Sequence, residues 1–136
     1  MSWENVELVR SLYTGDANTS RLRFFEVLDD DVEVVSKSHP LPDHPELIRG
    51  KGPAVDFYRH YWGTWDDDYI LEAAEITDAG ANRVLVVHHE RGRGKGSGVP
   101  FERRWAVIYT LAAGKLVRVQ GFGTREEALE AAGLSE

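Results

Sequence analysis

The stretch from Val84 to Phe122 most limits what this chain can fold into. It reads as three consecutive strands, RVLVVHHERGRG, FERRWAVIYTL and KLVRVQGF, rich in β-branched and aromatic residues. Glycine-bearing turns separate them: a long one, RGRGKGSGVP, over 91–100 and a tight one at Ala112-Ala113-Gly114. Two of the strands are long, with polar residues set among apolar ones. Such a meander, curved over helices from the first half of the chain, predicts the wall of a pocket.

Helical spacing of Val6, Val9 and Tyr13 predicts a first helix over 3–13, and Leu22, Phe25 and Leu28 a second over 20–28. The acids Asp29-Asp30-Asp31 mark its end, because the helix dipole disfavours them there. A strand follows at 32–35. The proline-bearing segment SKSHPLPDHPELIRGKG reads as an irregular rim loop, with a helical turn at 45–48. Pro53 opens a third helix to about Gly63, followed by a strand over 69–76 and a hairpin connection at 78–82. Thr124-Arg125-Glu126-Glu127 is a capping box for a last helix that Gly133 ends. The order α-α-β-α-β-β-β-β-α predicts an α+β fold, helices against an antiparallel sheet, in a single domain over 1–136.

Composition narrows the function. The net charge of −7 opposes a nucleic-acid or anionic-membrane partner, since both recruit basic surface. No apolar run approaches the roughly 20 residues of a membrane helix. There is no cysteine, hence no thiolate chemistry. The start, MSWENVELVR, lacks the basic-then-apolar order of a signal peptide, so a cytoplasmic protein is expected.

The segments WENVELVR (3–10), Asp30-Asp31-Val32-Glu33, Arg49-Gly50, GRGKGSG (92–98), Tyr109-Thr110-Leu111 and ALEAAGL (128–134) resemble the SnoaL-like branch of the nuclear transport factor 2-like superfamily. The resemblance spans nearly the whole chain. It implies a cone-shaped, curved antiparallel sheet wrapped around helices, an apolar cavity, and a homodimer joined through the outer sheet face. Relatives include ketosteroid isomerase, limonene epoxide hydrolase, scytalone dehydratase and polyketide cyclases, together with members that do no chemistry. The similar polyketide cyclases carry an aspartate in the last strand. Gly121 stands near that position here and can be neither acid nor base.

Strand parity selects candidates. Val117, Val119 and Gly121 share one face of the last strand, taken as inward; Arg118, Gln120 and Phe122 share the other. Trp105, Val107, Tyr109 and Leu111 share the face assigned to the cavity in the strand before it. His88 and Glu90 lie two apart, on the side of Val84 and Val86, and form a candidate acid/base pair whose burial and mutual contact would move their pKa values towards neutrality. The alternative leaves both on an exposed strand end, with Glu90 paired to an arginine.

Tyr13 is a candidate donor to a developing negative charge; Trp62, Trp65, Trp105 and Tyr109 are candidate aromatic walls for a substrate, although ordinary packing explains the tryptophans equally well. Asp31 sits at the rim or in a solvated turn. The 91–97 loop is a phosphate cradle or a mobile basic tip, and lacks the P-loop pattern. His39, His44 and His60 have no partner at a diagnostic spacing. His88 and Glu90 supply two metal ligands without a third, so no metal and no cofactor are expected. The expected ligand is a small apolar organic molecule, with cofactor-free isomerase, dehydratase, cyclase or hydrolase chemistry; the alternative is a non-catalytic binding or dimeric assembly module.

Overall fold

The computed structural model describes residues 2–36 and 45–134. The elements are α1 Ser2–Ser11, α2 Ala17–Val27, β1 Leu28–Ser36, β2 Leu47–Arg49, α3 Lys51–Gly63, β3 Ile70–Gly80, β4 Arg83–Arg93, β5 Pro100–Ala112, β6 Lys115–Phe122 and α4 Arg125–Ala132. The strands form one curved, unclosed sheet in the order β2-β1-β6-β5-β4-β3. Neighbours run antiparallel except β1 and β6, which are parallel, so the sheet is mixed at that one pair. The α+β class and the curved sheet around helices stand as the sequence implied.

Period-two alternation divides the core in two. On the concave face Val84 and Val86 of β4, Val107, Tyr109 and Leu111 of β5, and Val119 of β6 pack against Val9 and Leu12 of the α1 region, Phe24 of α2 and Ala54 of α3. The intervening residues Leu85, Val87, Ala106 and Ile108 face the other way, beneath Ala128, Leu129 and Ala132 of α4. Each fully buried valine or leucine here contributes roughly 1.5–3 kcal/mol. Within the long strands, β4 and β5 are thus apolar on both faces where helices cover both.

Several boundaries differ from the sequence expectation for identifiable reasons. α1 ends at Ser11, and Tyr13 stands in the turn that follows, its N–H bonded to Arg10 O at 3.1 Å. α2 begins at Ala17 rather than residue 20, because Asp16 caps it: one carboxylate oxygen accepts from Thr19 N–H at 2.9 Å, the other from the Thr19 hydroxyl at 3.0 Å. α3 begins at Lys51, placing Pro53 third in the helix. The expected helical turn at 45–48 is instead the short strand β2, paired with Glu33, Val34 and Val35. A three-residue strand carries too little periodicity to be read. His39 and His44 lie outside the described residues.

β6 holds the main correction to side-chain direction. Thr110 pairs with Arg118, but Leu111 pairs with Leu116, so Val117 is an extra residue in a β-bulge. The bulge swings Leu116 into the core at 0% exposure and leaves Val117 only half-buried. Val119 and Gly121 keep the inward placement expected of them; Val117 does not. α4 closes the chain as its capping signature predicts, with Thr124 Oγ1 accepting from Glu127 N–H at 3.1 Å and Gly133 at φ 75°.

Candidate functional site

A cavity of about 390 Å³ lies between the turn after α1, helices α2 and α3, and the concave sheet face. Its walls are mainly aromatic and aliphatic, with Phe24, Tyr58 and Trp62 from the helices opposite Trp105, Val107 and Val119 from the sheet. Edge-on contacts knit the helical side together, Phe24 meeting Tyr58 at 4.9 Å between ring centroids. Two polar clusters sit in this setting, each centred on one of the β4 residues that parity singled out.

The first centres on His88, which is 2% exposed. Its Nε2 lies 2.6 Å from the Tyr13 hydroxyl, and that hydroxyl lies 2.7 Å from the hydroxyl of Tyr109. His88 Nδ1 is buried and has no hydrogen-bond partner among the described residues. The Trp105 ring packs on the imidazole at 4.4 Å. Burial, reinforced by the nearby Arg103 cation, pushes the His88 pKa down to about 3. Burial also pushes Tyr109 up to about 12, against the opposing effect of its bond to Tyr13, and holds Tyr13 well above the ordinary phenol range. At neutral pH this relay is therefore uncharged throughout.

The second centres on Glu90, which is 0% exposed. Arg103 stands opposite it on β5 and donates from Nε to Oε1 at 2.9 Å; Trp105 Nε1 donates to the same oxygen at 3.1 Å. The Tyr61 hydroxyl donates to Oε2 at 2.5 Å, and the Tyr69 hydroxyl donates there too. Four donors from α3, the turn before β3, and β5 thus converge on one carboxylate. Burial and the adjacent Glu90 raise both tyrosine pKa values, so both remain donors.

Of the residues the sequence singled out, His88, Glu90, Tyr13, Trp62, Trp105 and Tyr109 line the cavity. Trp65 does not: it stacks on Phe101 at 4.1 Å between centroids and extends the aromatic packing behind Tyr69. Among the described residues no hydrogen bond joins His88 to Glu90; each belongs to its own cluster. His88 moves away from neutrality, not towards it, since burial dominates. Glu90 is paired with an arginine, as the alternative held, but in the interior. Asp31 is exposed, with its N–H bonded to the Asp29 carboxylate at 2.9 Å. The glycine-rich loop is a hairpin turn, closed by Gly94 N–H to Val99 O at 3.0 Å. Among the described residues no cluster of three or more His, Asp or Glu is arranged to hold a metal.

Gly121 is accounted for by space. A Cβ there would stand 2.9 Å from Ser36 Oγ and 3.5 Å from the Trp105 ring. A Cβ at this position would require the Ser36 hydroxyl to move, whereas its distance to Trp105 is an ordinary contact. Sequence reasoning missed Tyr61, Tyr69 and Arg103. Arg103 carried a readable signal, lying two before Trp105 on the same strand face. The tyrosines, on other elements, carried none.

No family model matches the sequence, and no curated protein matches it. Solved structures do match in shape. A Bacillus subtilis protein described as a candidate isomerase superposes with a TM-score of 0.74 at 19% identity, over 99% of this chain and 97% of its own. A candidate SnoaL-like polyketide cyclase of a Jannaschia species gives 0.71 at 19% identity, over 94% and 90%. A protein named TerC, co-crystallised with polyporic acid, gives 0.69 at 17% identity, over 95% and 98%. The chain has the nuclear transport factor 2-like fold.

Proposed function

We propose that this nuclear transport factor 2-like chain binds a small ring-bearing organic molecule in its cavity, and that the Tyr109–Tyr13–His88 relay meets an oxygen of that molecule. The observation that carries the reading is a largely apolar space of about 390 Å³ with one partly satisfied polar relay in its wall. Such a space suits a drug-sized ligand, with few polar groups fixing its orientation. The TerC structure, co-crystallised with polyporic acid, gives the same fold a small-molecule ligand.

The relay has two directions. If Tyr13 donates to Nε2, His88 carries its proton on Nδ1, where a buried N–H goes unmet. If Nε2–H donates to Tyr13, Tyr13 donates to Tyr109, and Nδ1 is left with only an unmet lone pair. Unmet N–H groups are the rarer and costlier case. The second direction leaves the Tyr109 O–H free to donate to a ligand oxygen.

That arrangement supports the finer reading of acid/base chemistry at a carbonyl. Tyr109 would stabilise negative charge developing on the oxygen, and Tyr13 and His88 would shift their hydrogen bonds behind it. Glu90 is not assigned the base, because four donors already hold it.

The test is mass spectrometry of small molecules released from protein purified from cells, with Val119→Phe as a cavity-filled control. An organic compound that accompanies the native chain and disappears from the control supports the reading. A native chain that carries none and binds no member of an aromatic ketone and phenol library overturns it. For the chemistry, Tyr109→Phe should slow turnover of a bound ketone about 100-fold; unchanged turnover removes the relay from the mechanism.

A further inference from the structure

We propose that the cavity selects an organic anion: a planar ring system bearing a carboxylate or comparable oxyanion, held by Arg21 with Arg103 beside it. This rests on the ligand-binding reading above and adds the charge of the ligand.

Arg21 belongs to α2 and lines the cavity. Its guanidinium carbon lies 4.7 Å from the Trp62 ring centroid and 5.9 Å from that of Tyr69. Among the described residues it makes no salt bridge and no side-chain hydrogen bond, so its donors face no acceptor. Arg103 presents a second guanidinium to the same space, over Trp105 at 4.7 Å. Its Nε donates to Glu90, and 21% of its side chain remains exposed.

The carboxylates around the cavity do not answer Arg21. Glu90 is taken by Arg103 and three further donors. Glu72, at the margin, is 56% exposed and bonds Arg91 at 3.2 Å. Asp16 turns both oxygens to Thr19. Among the described residues one cation is therefore left without a carboxylate at an aromatic-walled cavity, in a chain whose net charge is −7. Trp62 and Tyr69 fix its plane, which spares a ligand the cost of ordering it. A planar fork of N–H donors matches a carboxylate in two parallel hydrogen bonds, and the ring of the ligand would lie against the apolar wall.

The experiment uses two fluorescent probes with one ring system: 8-anilinonaphthalene-1-sulfonate, an anion, and N-phenyl-1-naphthylamine, its neutral counterpart. The native chain should bind the sulfonate about tenfold more tightly than the amine, as one charge-assisted contact implies. Arg21→Gln should erase that preference while changing amine affinity less than about twofold, and Arg21→Lys should restore part of it. Circular dichroism melts of both variants check that the fold is kept; α2 presents Arg21 from its partly exposed side.

Equal affinities in the native chain, or equal weakening of both probes by Arg21→Gln, overturn the anion inference and leave the cavity reading standing. Sulfonate binding that persists in Val119→Phe lies outside the cavity and also overturns it. Binding of neither probe overturns the cavity reading, and this inference with it.

Discussion

Two side chains of β4 make the most instructive comparison in this molecule. His88 and Glu90 point to the same concave face, are both buried, and stand two residues apart. Yet Glu90 receives four donors, whereas His88 has one hydroxyl on Nε2 and nothing on Nδ1 among the described residues. Burial and parity are equal; the supply of neighbours is not. A buried carboxylate met on both oxygens is an anchor, because moving it would strip partners from α3, the turn before β3, and β5 at once. A buried imidazole with an unmet nitrogen is a place where the fold has left hydrogen-bonding capacity unspent, which is the more usual mark of a site.

The sharpest way to break the comparison is to attack the anchor. Arg103→Met leaves the Glu90 charge buried without its cation, and should lower unfolding free energy by about 3–5 kcal/mol in urea titrations. A loss under about 1 kcal/mol would deny Glu90 its anchoring role.

A medium-sized effect separates the clusters by pH. In the unfolded chain His88 takes up its proton near 6.5, but in the fold only near about 3. Between those values the unfolded state binds more protons, so His88 makes stability rise with pH and fall as pH drops from 6.5 towards 3. The slope is at most about 1.4 kcal/mol per pH unit, or roughly 2 kcal/mol lost by pH 5. His88→Leu should flatten this part of the melting-temperature profile. Glu75 and Glu102, whose pKa values are lowered by Arg125 and His89 respectively, also lose stability in acid, and that background should persist in the variant. A profile of unchanged steepness in His88→Leu would contradict the burial of a neutral imidazole.

The smallest effects lie within the relay. Tyr13→Phe removes the middle hydroxyl and leaves His88 Nε2 unmet, so it should cost about 1–2 kcal/mol in thermal melts. Tyr109→Phe removes the end hydroxyl and should cost less, about 1 kcal/mol or below. If the order is reversed, Tyr109 is tied more firmly than its hydrogen bond to Tyr13 implies.

The β4 strand was legible because its period is two. Val84, Val86, His88 and Glu90 had to share a face whatever the rest of the chain did, but Leu85 and Val87 make the other face just as apolar, so the sequence left open whether His88 and Glu90 were buried or on an exposed strand end. Trp105, Val107 and Tyr109 were placed by the same rule. The rule failed on β6, where a bulge at Val117 changes the count and puts Leu116 in the core. A bulge is set by the strand it pairs with, and nothing local to KLVRVQGF announces one. β2 was invisible because its three residues become a strand only by pairing with β1. Trp65 looked like cavity wall on aromatic content alone, but its partner Phe101 is 36 positions along the chain.

The sequence by itself determined the class of fold and which residues share a face of each long strand, His88 with Glu90 among them, since alternation, capping and turn chemistry act over a few residues. Only the tertiary structure decided that both His88 and Glu90 turn inward, that Glu90 is enclosed by donors while His88 Nδ1 has no hydrogen-bond partner among the described residues, and that no carboxylate among the described residues pairs with Arg21 at the cavity. Those outcomes depend on side chains brought together from distant elements, where a shift of one residue in register changes every neighbour.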